Sequence, residues 1–491
     1  MNTEALRKYF ENYWGILALL VWGGALLGLN LVGLDRYGIE EQAARGLLLV
    51  WSVSDNIVNP IVTLGAPDFR ALLFVPIGIY WPGSMLAAKI FSILLAFFAA
   101  TLLYKWCVRN EGQESALLAL ALFVISPMLI QQIDALGAGI FLLISFAVAN
   151  WLDKAYRAKP KVFGGWYFSQ MLTVGVAITL HPVALALPLA LALHWKRFPC
   201  EDKKSLHIYV GLVISIVVAM SIKGGWNDVQ WISNPLAGLA NALQGGVLLS
   251  AEDINWLAAS LVISIIGLVI IVDKQFWLKD LLGLVLVLAT LFGLLIGDAN
   301  WALIVSALIL FRGVPLLVRF NQSLNKTGLI GQRGLVVGVA FLASTFFMLQ
   351  DKAQARDHFM QVLDAEDSLI SKVAQIAADE TVPFQAASQW PGRTMLVARR
   401  DVLGLPPAVR EQEQFVKNIK MLTHIIFDPY KEKNSGLTAM LATSQGETET
   451  LTVEQAGVII QIRNHQVELR NHRPAVETTG DQEKSAVHEA P

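Results

Sequence analysis

Apolar stretches follow one another through residues 1–350, separated by short polar or charged segments. Many of them reach about seventeen residues or more, long enough as helix to cross the hydrocarbon core of a bilayer. Backbone in lipid must satisfy its own hydrogen bonds, so each stretch is expected to be helical. The pattern predicts spans over 13–33, 84–104, 115–131, 134–152, 164–181, 183–195, 207–222, 254–272, 281–297, 301–318 and 334–350. The expected fold class is therefore an all-α polytopic membrane protein of about eleven transmembrane helices. The stretch 183–195 is short and has to tilt or borrow from the preceding turn.

Lys and Arg near the helix ends set the orientation. Alternate segments hold clusters such as Lys154, Arg157, Lys159 and Lys161, or Lys196, Arg197, Lys203 and Lys204. The intervening loops before the tail hold only Arg36, Arg45, Arg70 and Lys223. The N-terminus is thus expected in the cytoplasm. With an odd number of spans, everything from Gln350 onward is expected outside, in the periplasm of a cell with an inner membrane. The first apolar run has no small-residue cleavage pattern after it and reads as a retained helix.

Two outside loops are long. Residues 34–83 open with an amphipathic pattern, Glu40, Glu41 and Arg45 on the polar side, which suits a helix lying in the membrane interface. Residues 71–83 are apolar but broken by Pro and Gly into a short interfacial or re-entrant element. The second loop, 223–253, carries Trp226 and Trp231, the residue type of the aromatic belt.

Beyond the last span the pattern changes. Residues 354–380 read as a polar amphipathic helix, 393–401, 423–429 and 457–463 as strands, and 406–422 as a helix starting at proline. A strand–helix–strand order predicts a small α/β domain over 351–471. Residues 472–491 are polar without periodicity and are expected to be disordered.

Composition adds exclusions. Hydrophobic residues make up 55% of the chain and charged ones 16%, and the net charge is −1. No large basic surface exists, so nucleic acid is excluded as a partner. The two cysteines, Cys107 and Cys200, fall at cytoplasmic span ends and predict free thiols. No metal-ligand spacing, phosphate-binding glycine loop or nucleotide fingerprint stands out. No cofactor is expected, although Asp35, Glu40 and Glu41 leave room for a divalent ion.

Ionisable groups gather in the first loop: Asp35, Arg36, Glu40, Glu41, Asp55, Asp68 and Arg70. A carboxylate beside an apolar interface is suited to act as a general base, and an arginine there to hold a phosphate through paired donors. The plain alternative is a set of solvated charges that fix helix depth. His181, before Pro182 at an outside helix boundary, is a candidate contact for a phosphate or a sugar hydroxyl. The plain alternative is an interfacial histidine bonded to backbone carbonyls freed by the proline.

Four segments between Tyr37 and Arg197 together resemble the type C glycosyltransferase superfamily, in its aminoarabinose transferase and protein O-mannosyltransferase branch. They are the acidic pair Glu40–Glu41 after the first helix, the stretch 59–97 leading through Arg70 into helix two, the helical hairpin 114–152, and the turn and helix 178–197. The resemblance implies an inverting transfer of a sugar from a polyprenyl-phosphate donor to a lipid, glycan or protein acceptor on the outer face. It implies Glu40 as base, with Glu41 as its partner, and Asp35 as the counterpart if the loop is shorter. Arg70 falls near the family's phosphate-facing lysine, and Asp134 near a second acidic residue. Arg36 joins Arg70, His181 and Asp134 as a substrate-binding candidate. The chain departs from the pattern in having glutamate for the aspartate of the pair, Arg70–Ala71 for a lysine–proline, and Leu180 for a later lysine. Those losses motivate an alternative: a subunit of the same fold that has lost catalysis and binds lipid carrier or assembles an envelope-glycan complex.

Overall fold

The computed structural model describes residues 39–55, 69–124, 135–158, 164–198, 204–222, 280–293, 302–319 and 366–467, with short gaps, and a few positions between these stretches. The expected spans 13–33, 254–272 and 334–350 and the loop 223–253 lie outside the described residues. The chain divides into two compact units, Met1–Asp367 and Ser368–Pro491.

The first unit is helical. Its helices are α1 (Glu41–Asp55), α2 (Arg70–Tyr80), α3 (Met85–Glu111), α4 (Gln113–Val124), α5 (Ala138–Ala158), α6 (Gly165–Leu180), α7 (Ala186–Arg197), α8 (Lys204–Ile222), α9 (Leu281–Gly293) and α10 (Ala302–Leu308). A 3-10 turn, Pro182–Leu185, joins α6 to α7, and a π-helical turn, Ile309–Gly313, follows α10. Among the described residues, α3 and α5 are long and apolar enough to cross a membrane. The short 183–195 run gains its missing length from that 3-10 turn and from residues to Arg197.

Helix α3 shows how the sequence dictates packing. Ser84 caps its start, its hydroxyl accepting from the Ala87 N–H at 3.2 Å. Gly112 ends it at φ +90°, a conformation that favours glycine. Ala88, Ala96, Ala99 and Ala100 are buried, while Leu86, Ile90, Leu94 and Phe98 are exposed at every fourth position. Small residues inward and large apolar ones outward is the arrangement that suits lipid as solvent, where close helix approach replaces the hydrophobic effect.

Helices α1 and α2 pack just as closely. A Cβ on Gly46 would lie 3.3 Å from the Ala71 Cα, and one on Gly78 would lie 1.8 Å from a Val50 methyl. Pro76 sits inside α2, and Phe74 meets Phe141 of α5 edge to face at 6.2 Å. The interfacial element expected over 71–83 is thus a helix whose proline is accommodated without breaking it.

Carboxylates tie the helices together at the end where α3 stops. Glu111 accepts from Arg312 Nη1 at 2.6 Å and is also paired with Arg319. Asp280 caps α9 through the Gly283 N–H at 3.2 Å and accepts from Trp106 Nε1 at 2.6 Å. Asp153 accepts from Arg157 Nε at 2.8 Å and Trp195 Nε1 at 2.6 Å.

The second unit is α/β. Strands β1 (Ala386–Ser388), β2 (Val402–Gly404), β3 (His424–Phe427), β4 (Thr448–Glu454) and β5 (Gly457–Ile462) form one sheet in the order β2-β1-β3-β5-β4. β1 pairs parallel with β2 and β3, and β5 pairs antiparallel with β3 and β4. Helices α11 (Pro391–Ala398), α12 (Gln412–Ile419) and α13 (Ser435–Thr443) cover it. Phe415, Ile419, Leu437 and Leu441 join Ile425, Phe427, Ile460 and Ile462 in the core.

Three expectations for this unit need correction. Residues 393–401 are not a strand; Pro391 at the first helical position opens α11, and Arg399 closes it in the left-handed conformation at φ 54°. The helix expected over 406–422 is confined to Gln412–Ile419, because Pro406 and Pro407 stand outside it. Strands β1, β2 and β4 were not foreseen: β1 and β2 are three residues each, too short to show a period, and in β4 the alternating Leu451 and Val453 are exposed at the sheet edge instead of facing a core.

Candidate functional site

One member of the acidic pair, Glu40, and Arg70 of the first loop are brought together. Glu40 immediately precedes α1, and its N–H bonds to the Ala135 carbonyl at 2.8 Å. Arg70, the first residue of α2, donates Nη1 to Glu40 Oε2 at 2.5 Å and to the Leu136 carbonyl at 2.9 Å. Residues thirty positions apart thus meet over one turn of the α4–α5 connection. Arg70 is 2% exposed and Glu40 25%, so a partly exposed carboxylate is backed by a buried cation.

The turn that receives both groups is itself held. Gly137 N–H bonds to the Gln132 carbonyl at 2.8 Å, Leu136 N–H to Ile133 at 3.2 Å, and Gln132 Oε1 accepts from the Gly139 N–H at 3.0 Å. Leu136 adopts φ 52°, a conformation uncommon outside glycine and concentrated at functional sites. That twist aims the Ala135 and Leu136 carbonyls at the first loop.

Glu41 faces its own helix, accepting from Arg45 Nε at 3.0 Å. It stands at the first turn of α1, where a carboxylate complements the helix dipole. His181 is buried between α6 and the 3-10 turn, where its Nδ1 accepts from the Val183 N–H at 3.3 Å. That bond is to a backbone N–H, where the expectation named carbonyls. The ring pairs Tyr156–Tyr167 and Trp151–Trp166 close the α5–α6 hairpin at its far end. Helix α6 therefore returns toward the end of the bundle where the 135–137 turn lies. Asp35, Arg36 and Asp134 lie outside the described residues, although the turn next to Asp134 is the one that receives Arg70.

Lys89 is a further buried cation of this unit, one that the sequence analysis does not single out. It sits in the second turn of α3 and is 1% exposed. A single cation inside an otherwise apolar run of membrane length is the signal that would have flagged it. Among the described residues, no group of three or more His, Cys, Asp or Glu is placed to hold a metal ion.

No family model matches the sequence, and no curated protein sequence does. Solved structures do match over nearly the whole chain. ArnT from Cupriavidus metallidurans in the apo state is similar at a TM-score of 0.55 and 12% identity, over 91% of this chain and 98% of that one. The same protein bound to undecaprenyl phosphate gives a TM-score of 0.53 at 12% identity, with the same coverage. The oligosaccharyltransferase AglB from Archaeoglobus fulgidus, in complex with an inhibitory peptide and a dolichol-phosphate, gives 0.51 at 12% identity, over 90% of this chain and 73% of that one. At such identity the likeness speaks for the fold, and the chain has a type C glycosyltransferase-like fold.

Proposed function

We propose that this chain is a polytopic inner-membrane glycosyltransferase, with about eleven spans and a periplasmic C-terminal unit. It moves a sugar from a polyprenyl-phosphate donor to a lipid, glycan or protein acceptor on the outer face, with inversion. The observation that carries this reading is the Arg70–Glu40 pair fixed to the 135–137 turn. The lipid phosphates bound by ArnT and AglB support the donor class.

In this mechanism the Glu40 carboxylate takes the proton of the acceptor hydroxyl as the hydroxyl oxygen attacks the anomeric carbon and the lipid phosphate leaves. Arg70 holds the carboxylate in place from behind, so attack occurs from a fixed direction. Arg36, Asp35 and Asp134 are kept as candidates near the same site. His181 and the buried Lys89 are candidates to face the departing phosphate.

The test is sugar transfer by Glu40→Gln and Glu40→Ala proteins, reconstituted with a polyprenyl-phosphate sugar. Both are expected to insert and fold while transfer is lost. Full transfer by both, with Asp35→Ala also silent, would exclude this site.

One observation favours the alternative of a non-catalytic subunit: Arg70 is sealed at 2% exposure, as a purely structural pair would be. That reading predicts retained carrier binding without turnover for any donor.

A further inference from the structure

Away from the Glu40–Arg70 pair, helices α5 to α8 bury a second polar cluster. Its centre is Asp153, whose charge is balanced by Arg157 and whose other oxygen takes the Trp195 indole N–H. Trp195 packs against Tyr209 of α8 with ring centres 5.2 Å apart and against Tyr156 at 5.6 Å. Tyr156 in turn meets Tyr167 of α6 at 6.0 Å. The cluster therefore joins one face from each of four helices.

Around it, several polar atoms are buried without a hydrogen-bond partner among the described residues. They are Asn150 Oδ1, both amide atoms of Gln170, His194 Nδ1 and the Tyr209 hydroxyl. Gln170 is 1% exposed and Tyr209 wholly buried, and Asn150 and His194 are also more than nine-tenths buried. Asn150 lies one helical turn from Asp153, and Gln170 one turn from Tyr167. His194 Nε2 approaches Asp153 at 3.5 Å. All four side chains therefore border the same cluster.

Left dry, each of these groups would bear its full desolvation cost, and native interiors rarely tolerate several together. The chemistry of the set names its occupant. A bound cation needs acceptors and a bound anion needs donors, but here both kinds stand side by side. The central carboxylate already has its guanidinium. Water, which donates and accepts, takes two to four such partners when buried. We infer that α5, α6, α7 and α8 enclose an ordered-water site, bridging Gln170, Tyr209, Asn150 and His194. The helices here are joined through water rather than by dry packing. This site is separate from the proposed reaction centre, and the inference stands whether or not the chain transfers sugar.

Hydroxyl-radical footprinting by a brief X-ray pulse in ¹⁸O-water tests it, on the full chain in a lipid nanodisc. Radicals form from ordered water in place, so a buried aromatic beside such water is labelled. Tyr209 is expected to take up ¹⁸O several-fold faster than Phe123 and Phe311, which are equally buried and pack against each other. Labelling of Tyr209 no faster than these phenylalanines would overturn the inference. In Gln170→Leu the Tyr209 label is expected to fall several-fold. A label unchanged in that variant would show water arriving by another route and would also overturn it. The wild-type comparison decides the matter if the variant does not fold.

Discussion

Arg70 and Glu40 meet at 2.5 Å at the starts of α2 and α1, and the same guanidinium nitrogen also bonds the Leu136 carbonyl at 2.9 Å. One buried cation therefore fixes two helix starts against a single turn. Removing one member of a buried pair is costlier than removing both, because the survivor is left without its counter-charge.

Glu40→Ala leaves Arg70 buried without this carboxylate and is expected to cost roughly 2–4 kcal/mol, the quarter exposure of Glu40 tempering the full buried-pair penalty. The double variant Glu40→Met with Arg70→Met should recover most of that loss. Denaturant or thermal unfolding of the four proteins of the cycle measures it, and strict additivity would argue that the two side chains do not interact.

Gly78 touches Val50 so closely that any Cβ displaces it. Gly78→Ala is expected to destabilise the α1–α2 contact by about 1–3 kcal/mol, the usual cost of overpacking. Combining it with Val50→Ala should restore stability. A single variant as stable as the parent would mean that the two helices are not held this close.

Glu111 is almost wholly buried between Arg312 and Arg319. Glu111→Gln removes its charge and keeps its shape. The melting temperature of the reconstituted protein should drop by the equivalent of about 3–5 kcal/mol, as for a broken buried pair. Adding Arg312→Met should recover part of the loss. A melting curve unmoved by Glu111→Gln would refute the tie.

In the C-terminal unit, His424 lies buried on β3, stacked on Phe384 at 5.7 Å. Burial, with His465 nearby, pushes its pKa down from 6.5 to about 4. The unfolded chain then binds the proton more readily than the folded one between these two values. Stability contributed by the neutral ring is present above pH 6.5 and is lost as pH falls toward 4, by roughly 3 kcal/mol in total. Hydrogen exchange at 424–427 in the full chain should accelerate over that window. His424→Gln should flatten the dependence, and an unaltered profile in that variant would assign it to another group.

Much of this fold is legible in the sequence. The α3 and α5 spans, the proline-started α7 segment, and strands β3 and β5 all carry local signals: apolar run length, capping residues and β-branched runs. Residues 393–401 misled because RTMLVA suits a strand or a helix equally, and only Pro391 and the left-handed Arg399 decide. Lys89 is legible too, because a lone lysine inside an apolar run of membrane length has to face the protein interior. The closeness of Glu40 to Arg70 was invisible, since thirty positions that include helix α1 separate them.

The sequence by itself determined that the described part of the first unit is apolar helix with a polar α/β unit after it, because run length and periodicity act within a single turn or strand. Only the tertiary structure decided which charges meet. Arg70 reaches Glu40, Arg312 reaches Glu111, and Trp195 reaches Asp153. A buried charge must find its counterpart wherever folding places it, and that choice depends on the packing of distant helices, which no local pattern encodes.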